Sequence, residues 1–301
     1  MTERPGEASG RGTAGGAGGR AWVAARPAEL DGQRALLARL LDYCEADPRV
    51  RWLVIGCSLG RGAADRLSDL DLGAGVTAAD FEAAGAALRA AVDGLGELVE
   101  SFEHQLPGVT GPHARIFAQY ADRSQVDLVV FPDTRDAGSI PDVVVLHDPG
   151  GVVTIAGRRV PVTPGQARQW AFLGWCALAD LGKYLRRGSP WEARGRLEEA
   201  REQLWRLQAA AGGVAQPQYG LTSILDFAPG TVPAAMAATV AGLDPAALLA
   251  AGRELARLLS AAGDRLEAGQ RAALPAAMAR FITADLAALE RAGHNGAPAR
   301  A

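Results

Sequence analysis

Short apolar runs alternate with amphipathic stretches over the first half of the chain. In residues 51–57 the β-branched Val54 and Ile55 precede a glycine-rich turn, which predicts a buried strand. Further strands are predicted over residues 69–76, 97–105, 114–120, 125–131, 143–146 and 152–155. Two helices are predicted in the same half, because leucines repeat with helical spacing within residues 28–47 and Thr77 is a suitable N-cap for the helix that follows it.

Apolar positions in the second half repeat with the helical period. Thr163 followed by Pro164 predicts the start of a long helix, which ends at Arg187 before a Gly-Ser-Pro sequence. Three more helices are predicted, over residues 191–210, from Asp244-Pro245 onward, and over 274–291. The second half is therefore predicted to be all-helical.

The change of pattern near residue 160 predicts an α+β fold with two domains, residues 27–160 and residues 161–295. A chain of 301 residues that is 49% apolar is long enough to bury two cores. Residues 1–26 are rich in Gly, Ala and Arg and contain no apolar run, so a disordered tail is expected there and not a signal peptide.

Two carboxylates follow the first predicted strand. Asp69 and Asp71 lie two residues apart, so in an extended strand both side chains point to the same side. Carboxylates this close repel each other unless a cation lies between them, and oxygen ligands suit Mg²⁺. The glycine turn before them offers backbone N–H groups and the Ser58 hydroxyl to an anion. This spacing indicates a phosphate beside a magnesium site.

The serine turn, the acid pair and a later strand acid, Asp127, together resemble the motif of the nucleotidyltransferase superfamily. This is the polymerase β-like group that includes antibiotic adenylyltransferases. Cys57 stands where that family has the glycine before the serine. The resemblance implies a mixed β-sheet flanked by helices and followed by a helical domain. It also implies that Asp69, Asp71 and Asp127 bind Mg²⁺ in a two-metal site. Ser58 would then bind the phosphates of ATP or another nucleoside triphosphate.

The activity implied by the resemblance is transfer of a nucleoside monophosphate, AMP from ATP in the simplest case, to a hydroxyl group of a small molecule. Pyrophosphate is the second product. Antibiotic adenylyltransferases that act on aminoglycosides or lincosamides have a similar layout, so an aminoglycoside-like acceptor is one expectation. Two alternatives stay open: a nucleotide-binding regulatory or antitoxin-type protein, and a relative that transfers AMP to a protein.

Lys183 is the single lysine among 31 Lys and Arg residues. An ammonium group and a guanidinium group are not interchangeable, so a lysine in so arginine-rich a chain suggests a specific task. Arg186 and Arg187 follow it on the same helical face. The resemblance implies that Lys183 and Arg187 bind the triphosphate; the alternative is that Lys183 pairs with Asp180 at the surface. Arg61, in the glycine turn, either contacts the same phosphates or caps the turn.

The general base that would accept the proton of the acceptor hydroxyl is left open among three acids. Burying an acid among the apolar residues of a strand is costly without a partner, which favours Asp127 as the third carboxylate. Asp127 then either binds metal only or also accepts this proton. Glu100 and Glu103 are the others, and they lie on opposite faces if their strand is regular.

Composition and charge argue against several function classes. The net charge of −3, without a basic stripe, argues against nucleic-acid binding. The sequence has no stretch long and apolar enough to predict a membrane span. The three cysteines have no metal-ligand spacing and cannot all pair, which predicts a reduced, cytoplasmic setting.

Overall fold

The computed structural model describes residues 16–105, 111–132, 142–153 and 161–294. The chain divides into two compact units, Met1–Gly157 and Arg158–Ala301, which we describe separately. Helices combine with a mixed β-sheet in the first unit, and the described part of the second unit is helical. The predicted α+β class with a mixed sheet is confirmed.

A six-stranded sheet forms the centre of the first unit. Its strands are β1 (Val50–Ile55), β2 (Leu70–Val76), β3 (Leu98–His104), β4 (Ala114–Tyr120), β5 (Gln125–Pro132) and β6 (Val144–His147). Their order is β3-β4-β5-β2-β1-β6. Strands β2 and β5 are parallel, and the other neighbouring pairs are antiparallel. The parallel pair therefore lies in the middle of the sheet.

Helices cover one face of this sheet. They are α1 (Gly16–Ala24), α2 (Asp31–Ala46), α3 (Cys57–Arg61) and α4 (Phe81–Asp93). The predicted leucine stripe of α2 is buried, and α4 contributes Leu88 and Val92 to the same core cluster. The cluster includes alternate strand residues such as Leu72, Ile116 and Leu128. The intervening strand positions consequently point to the opposite face of the sheet.

Helix α1 lies in the segment for which the sequence predicted disorder, so that prediction is wrong for residues 16–24. Val23 is buried in the core cluster of the first unit. Gly19 lies against β6, because a Cβ built on it would be 1.9 Å from the carbonyl oxygen of Leu146. A glycine-rich composition therefore allows close packing here. Residues 1–15 of the predicted tail lie outside the described residues.

The strand predicted over residues 51–57 ends two residues early, and the expected glycine turn is the short helix α3. A backbone hydrogen bond from the Gly60 N–H, 3.0 Å long, closes the first turn of α3. Cys57 has a φ of 52° and Gly62 a φ of 72°, both in the left-handed region. Position 57 therefore favours glycine, the residue that the resembled motif has there.

A second strand prediction, over residues 152–155, is wrong for Val152 and Val153. The carboxylate of Asp148 accepts hydrogen bonds of 2.9 Å from the N–H groups of both residues. That side chain thus takes the place of a strand partner. Residues 154–155 lie outside the described residues.

The second unit contains α5 (Pro164–Arg186), α6 (Pro190–Ala211), α7 (Leu221–Phe227), α8 (Pro245–Asp264), α9 (Ala268–Ala272) and α10 (Ala276–His294). Thr163 caps α5 as predicted: its Oγ1 accepts a 3.1 Å hydrogen bond from the Gln166 N–H, and Gln166 Oε1 accepts one of 2.9 Å from the Thr163 N–H. Leu178, Leu204 and Leu255 lie in the core of this unit. None of the described helices has the length and apolar character needed to cross a membrane.

Candidate active site

Asp71 and Asp127 lie side by side on the parallel strands β2 and β5. The strand register pairs the two residues directly, and paired residues point to the same face of a sheet. Their neighbours Leu72 and Leu128 are buried under the helices, so the acids lie on the opposite face. Asp69 directly precedes β2. The structure therefore brings together the three acids that the sequence singled out.

Asp71 carries an incompletely balanced negative charge. Burial and the charge of Asp69 raise the pKa of Asp71 to about 6, and Asp127 adds to the rise. A hydrogen bond from the Cys57 thiol and the nearby charge of Arg115 lower this pKa but do not outweigh the other effects. Burial and the charge of Asp71 in turn raise the pKa of the Cys57 thiol. A cation bound here would remove the imbalance.

Arg115 of β4 is a site residue that the sequence prediction missed. Its Nε donates a 2.7 Å hydrogen bond to Oδ1 of Asp127, and its Nη2 donates to Oδ2 of the same carboxylate. Asp127 is 9% exposed, so this two-pronged ion pair is largely shielded from water. The neighbouring Ile116 is buried, and this alternation would have placed Arg115 on the other face. Its contact with Asp127, however, depends on strand pairing, which the sequence does not show.

A buried glutamine holds the loop that leads to Asp69. Gln33 of α2 is buried, and its Nε2 donates to the carbonyl oxygens of Asp65, at 3.3 Å, and Ser68, at 3.1 Å. Within the loop, Oδ1 of Asp65 accepts a 2.8 Å hydrogen bond from the N–H of Leu67. Gln33 is therefore a positioning residue for the acid pair. No sequence motif indicated this role.

Ser58 and Arg61 both lie on α3. Ser58 is partly exposed and follows Cys57, whose thiol contacts Asp71. Nη1 of Arg61 lies 2.9 Å from Oδ2 of Asp142, so Arg61 forms an ion pair with the protein itself. Phosphate binding by Ser58 and Arg61 stays a prediction.

Lys183, Arg186 and Arg187 lie at the C-terminal end of α5. Nζ of Lys183 is 2.5 Å from Oδ1 of Asp180, which is the surface pair considered as the alternative role. Arg186 pairs with Asp285 at 2.6 Å, and Arg187 is exposed. Phosphate binding by Lys183 and Arg187 stays a prediction.

The two glutamates considered as general bases lie on opposite faces of β3. Glu103 pairs with Ile116, whose side chain is in the helix-covered core, and its carboxylate lies 3.6 Å from Arg89 of α4. Glu103 is thus on the wrong face to act beside Asp71. Glu100 pairs with Gln119 and lies on the face of the acids. Asp127 and Glu100 remain the candidates.

The acid-bearing face also carries aromatic side chains, on β1 and β5. Trp52 of β1 is fully buried, and its ring is stacked with that of Phe131 at a centroid distance of 6.3 Å. Gly75 of β2 is paired with Trp52, and a Cβ built on Gly75 would be 2.0 Å from Nε1 of the tryptophan. The absence of a side chain at position 75 therefore makes room for the indole ring.

The acids differ in how well they fit a metal ion. Asp69 and Asp71 offer carboxylate oxygens, and burial together with their mutual repulsion favours a bound cation. Both oxygens of Asp127, by contrast, accept hydrogen bonds from Arg115. In the part of the chain that the structure describes, no group of three or more His, Cys, Asp or Glu side chains is arranged to hold a metal ion. Asp69 and Asp71 therefore fit a hard cation whose other ligands come from phosphate or water.

Comparison with known proteins gives little further information. No protein-family model matches the chain, and no curated protein matches it. Among solved structures, an aminoglycoside 6-adenyltransferase from Bacillus subtilis is similar to this chain, with 14% sequence identity and a TM-score of 0.37. The similarity covers 84% of this chain and 97% of the other. At this identity and score, the match carries no weight for function.

Proposed function

We propose that this chain is a Mg²⁺-dependent nucleotidyltransferase that moves a nucleoside monophosphate, AMP in the simplest case, from its triphosphate to a hydroxyl group. The observation that carries the proposal is the register of β2 and β5, which places Asp71 directly beside Asp127 with Asp69 adjacent. Carboxylates gathered on one sheet face suit phosphoryl-type transfer, because that reaction needs metal ligands and a proton acceptor close together.

Each site residue has a proposed role. Asp69 and Asp71 hold the divalent cation, which when bound would offset phosphate charge and orient the α-phosphorus. Ser58 donates a hydrogen bond to a phosphate oxygen. Asp127 or Glu100 is proposed to accept the proton of the acceptor hydroxyl. Glu100 lies on the same face of the sheet, on a strand two away from that of Asp127.

Positive charge for the triphosphate is assigned to three basic residues. Arg61 lies on α3, four residues after Cys57, which contacts Asp71. Lys183 and Arg187 are the proposed contributors from the second unit. Such cations stabilise the charge that develops on departing pyrophosphate.

Pyrophosphate release tests the reaction class. The full-length protein is incubated with Mg²⁺, each of the four nucleoside triphosphates, and a panel of hydroxyl acceptors that includes aminoglycosides. We expect release with at least one pair, and its loss in Asp69→Ala/Asp71→Ala. The control Glu198→Ala/Glu199→Ala removes two exposed acids from α6 and should keep full activity. Equal release from the wild type and the Asp69/Asp71 variant would refute the assignment.

The acceptor class is tested by following the label from α-labelled ATP. Transfer to a small hydroxyl compound supports the proposal as stated. Label on a protein partner would identify the protein-modifying alternative. Nucleotide binding without pyrophosphate release under any condition would favour the regulatory alternative.

A further inference from the structure

Arg115 changes the chemistry available to one of the three acids. Its guanidinium group forms a planar, bidentate pair of hydrogen bonds with the two carboxylate oxygens of Asp127. The Asp127 side chain is 11% exposed and the Arg115 side chain 32%, so water screens the pair only partly. Asp69 and Asp71 have no comparable two-pronged cationic partner among the described residues.

We propose that Arg115 keeps Asp127 out of the metal site in the nucleotide-free protein, so that Asp69 and Asp71 alone hold the divalent cation. This inference rests on the metal site of the proposed function. A cation that approached Asp127 would meet the positive guanidinium at hydrogen-bond distance, and the repulsion between the two positive charges opposes its binding. Asp127 is thereby a positioned acid and not a metal ligand in this state.

The position of Arg115 supports this role over that of a remote structural ion pair. The β4–β5 register places Arg115 opposite Val129, one step along the acid-bearing face from Asp127. The charges of Asp71 and Asp69 help to raise the pKa of Arg115, after the larger effect of its hydrogen bond to Asp127. The Arg115 guanidinium therefore faces all three acids, although it is hydrogen-bonded only to Asp127.

Mn²⁺ binding to the full chain without nucleotide, followed by electron paramagnetic resonance, tests the inference. Removing the guanidinium in Arg115→Gln frees Asp127 to become a third carboxylate ligand, so Mn²⁺ should bind about 10-fold tighter than to the wild type. The gain should be lost in Arg115→Gln/Asp127→Asn. Arg89→Gln removes an equal charge from the opposite face of the sheet and should change the affinity less than about 2-fold.

Two outcomes overturn the inference: affinity in Arg115→Gln no higher than in the wild type, or a gain that survives the added Asp127→Asn change. If Arg115→Gln does not fold, Arg115→Lys serves instead, since it keeps the charge without the planar fork and should bind Mn²⁺ with intermediate affinity. An unchanged Mn²⁺ affinity in Arg115→Lys would also contradict the inference.

Failure of the metal site itself is distinct, because Mn²⁺ binding would then be unaffected by Asp69→Asn/Asp71→Asn. No nucleotide or acceptor is present, so the result does not depend on the transfer reaction.

Discussion

Ionised Asp71 lowers the stability of the folded chain, since burial and the charge of Asp69 raise its pKa to about 6. In metal-free protein at neutral pH, Asp71→Asn removes the unfavourable charge. We expect the variant to be more stable than the wild type by about 1–2 kcal/mol, after allowance for solvent screening. Urea denaturation in the presence of a chelator measures this difference.

Millimolar Mg²⁺ should narrow this difference, because it stabilises the folded wild type by binding and has less to bind in the variant. A variant that is less stable than the wild type without metal would show that the Asp71 charge is already balanced by protein groups. Stabilisation by Mg²⁺ that is equal in both proteins would show that the cation binds elsewhere.

Gly75 is fixed by a neighbouring side chain. A Cβ at this position would be 2.0 Å from the buried indole of Trp52, so Gly75→Ala should destabilise the protein by about 1–3 kcal/mol through overpacking. Gly85 within α4 is the matched control, since no atom lies within 4 Å of its built Cβ. Gly85→Ala should be neutral or stabilising by up to about 1 kcal/mol, because alanine favours the helix. Thermal melting of both variants measures the two changes in stability. Equal changes would contradict the close packing of Gly75 against Trp52.

At the scale of elements, the connection from α2 to β1 depends on one carboxylate. Asp47 accepts hydrogen bonds from Arg49 Nε, at 2.9 Å, and from the hydroxyl of Tyr43, at 3.0 Å. The bond with Arg49 is the main reason that the pKa of Asp47 is lowered to about 2. A lowered folded-state pKa contributes stability above the unfolded value, near pH 3.8, which is lost as the pH falls toward 2.

Asp47→Asn should therefore lower the free energy of unfolding at neutral pH by about 1–2 kcal/mol, and this difference should disappear toward pH 2. Asp42→Asn, which removes an exposed carboxylate from the same helix, should cost less than about 0.5 kcal/mol. Urea titrations across this pH range measure both. A difference between wild type and Asp47→Asn that does not change with pH would rule out the charge as its cause.

Local signals in the sequence predict where helices and strands lie better than they predict the role of each residue within them. Thr163 and Thr77 both resemble N-caps, yet Thr163 caps α5, whereas the Thr77 hydroxyl bonds the Asp80 carboxylate at 2.7 Å and caps no backbone N–H. The same residue type is thus used differently because the chain after Thr77 first forms a short 3₁₀ turn. Likewise, a glycine-rich sequence predicts a turn at residues 58–62, but hydrogen bonding makes it helical.

For the whole molecule, the site depends on strand order, which is the part that the sequence does not encode locally. Alternation of apolar residues places Asp71 and Asp127 each on the polar side of a strand. The tertiary structure, and not the local sequence, makes β2 and β5 parallel neighbours and brings Arg115 into contact with Asp127. The spacing of Asp69 and Asp71 predicts an acid pair, and a family resemblance predicts the third acid; the role of these acids stays a prediction. No spacing or motif in the sequence indicates a role for Arg115 or Gln33 at this site.

Lys183 gives a test that involves the second unit. Its ion pair with Asp180 joins two side chains that are 41% and 40% exposed, and such pairs contribute about 0–1 kcal/mol. If Lys183 binds the triphosphate as proposed, Lys183→Ala should raise the KM for the nucleotide about 10-fold, with little change in melting temperature. This is a loss of about 1.4 kcal/mol in binding. Arg257→Ala, which breaks a similar exposed pair with Glu254 on α8, should leave KM unchanged. Equal KM values for Lys183→Ala and wild type would leave Lys183 as a surface partner of Asp180.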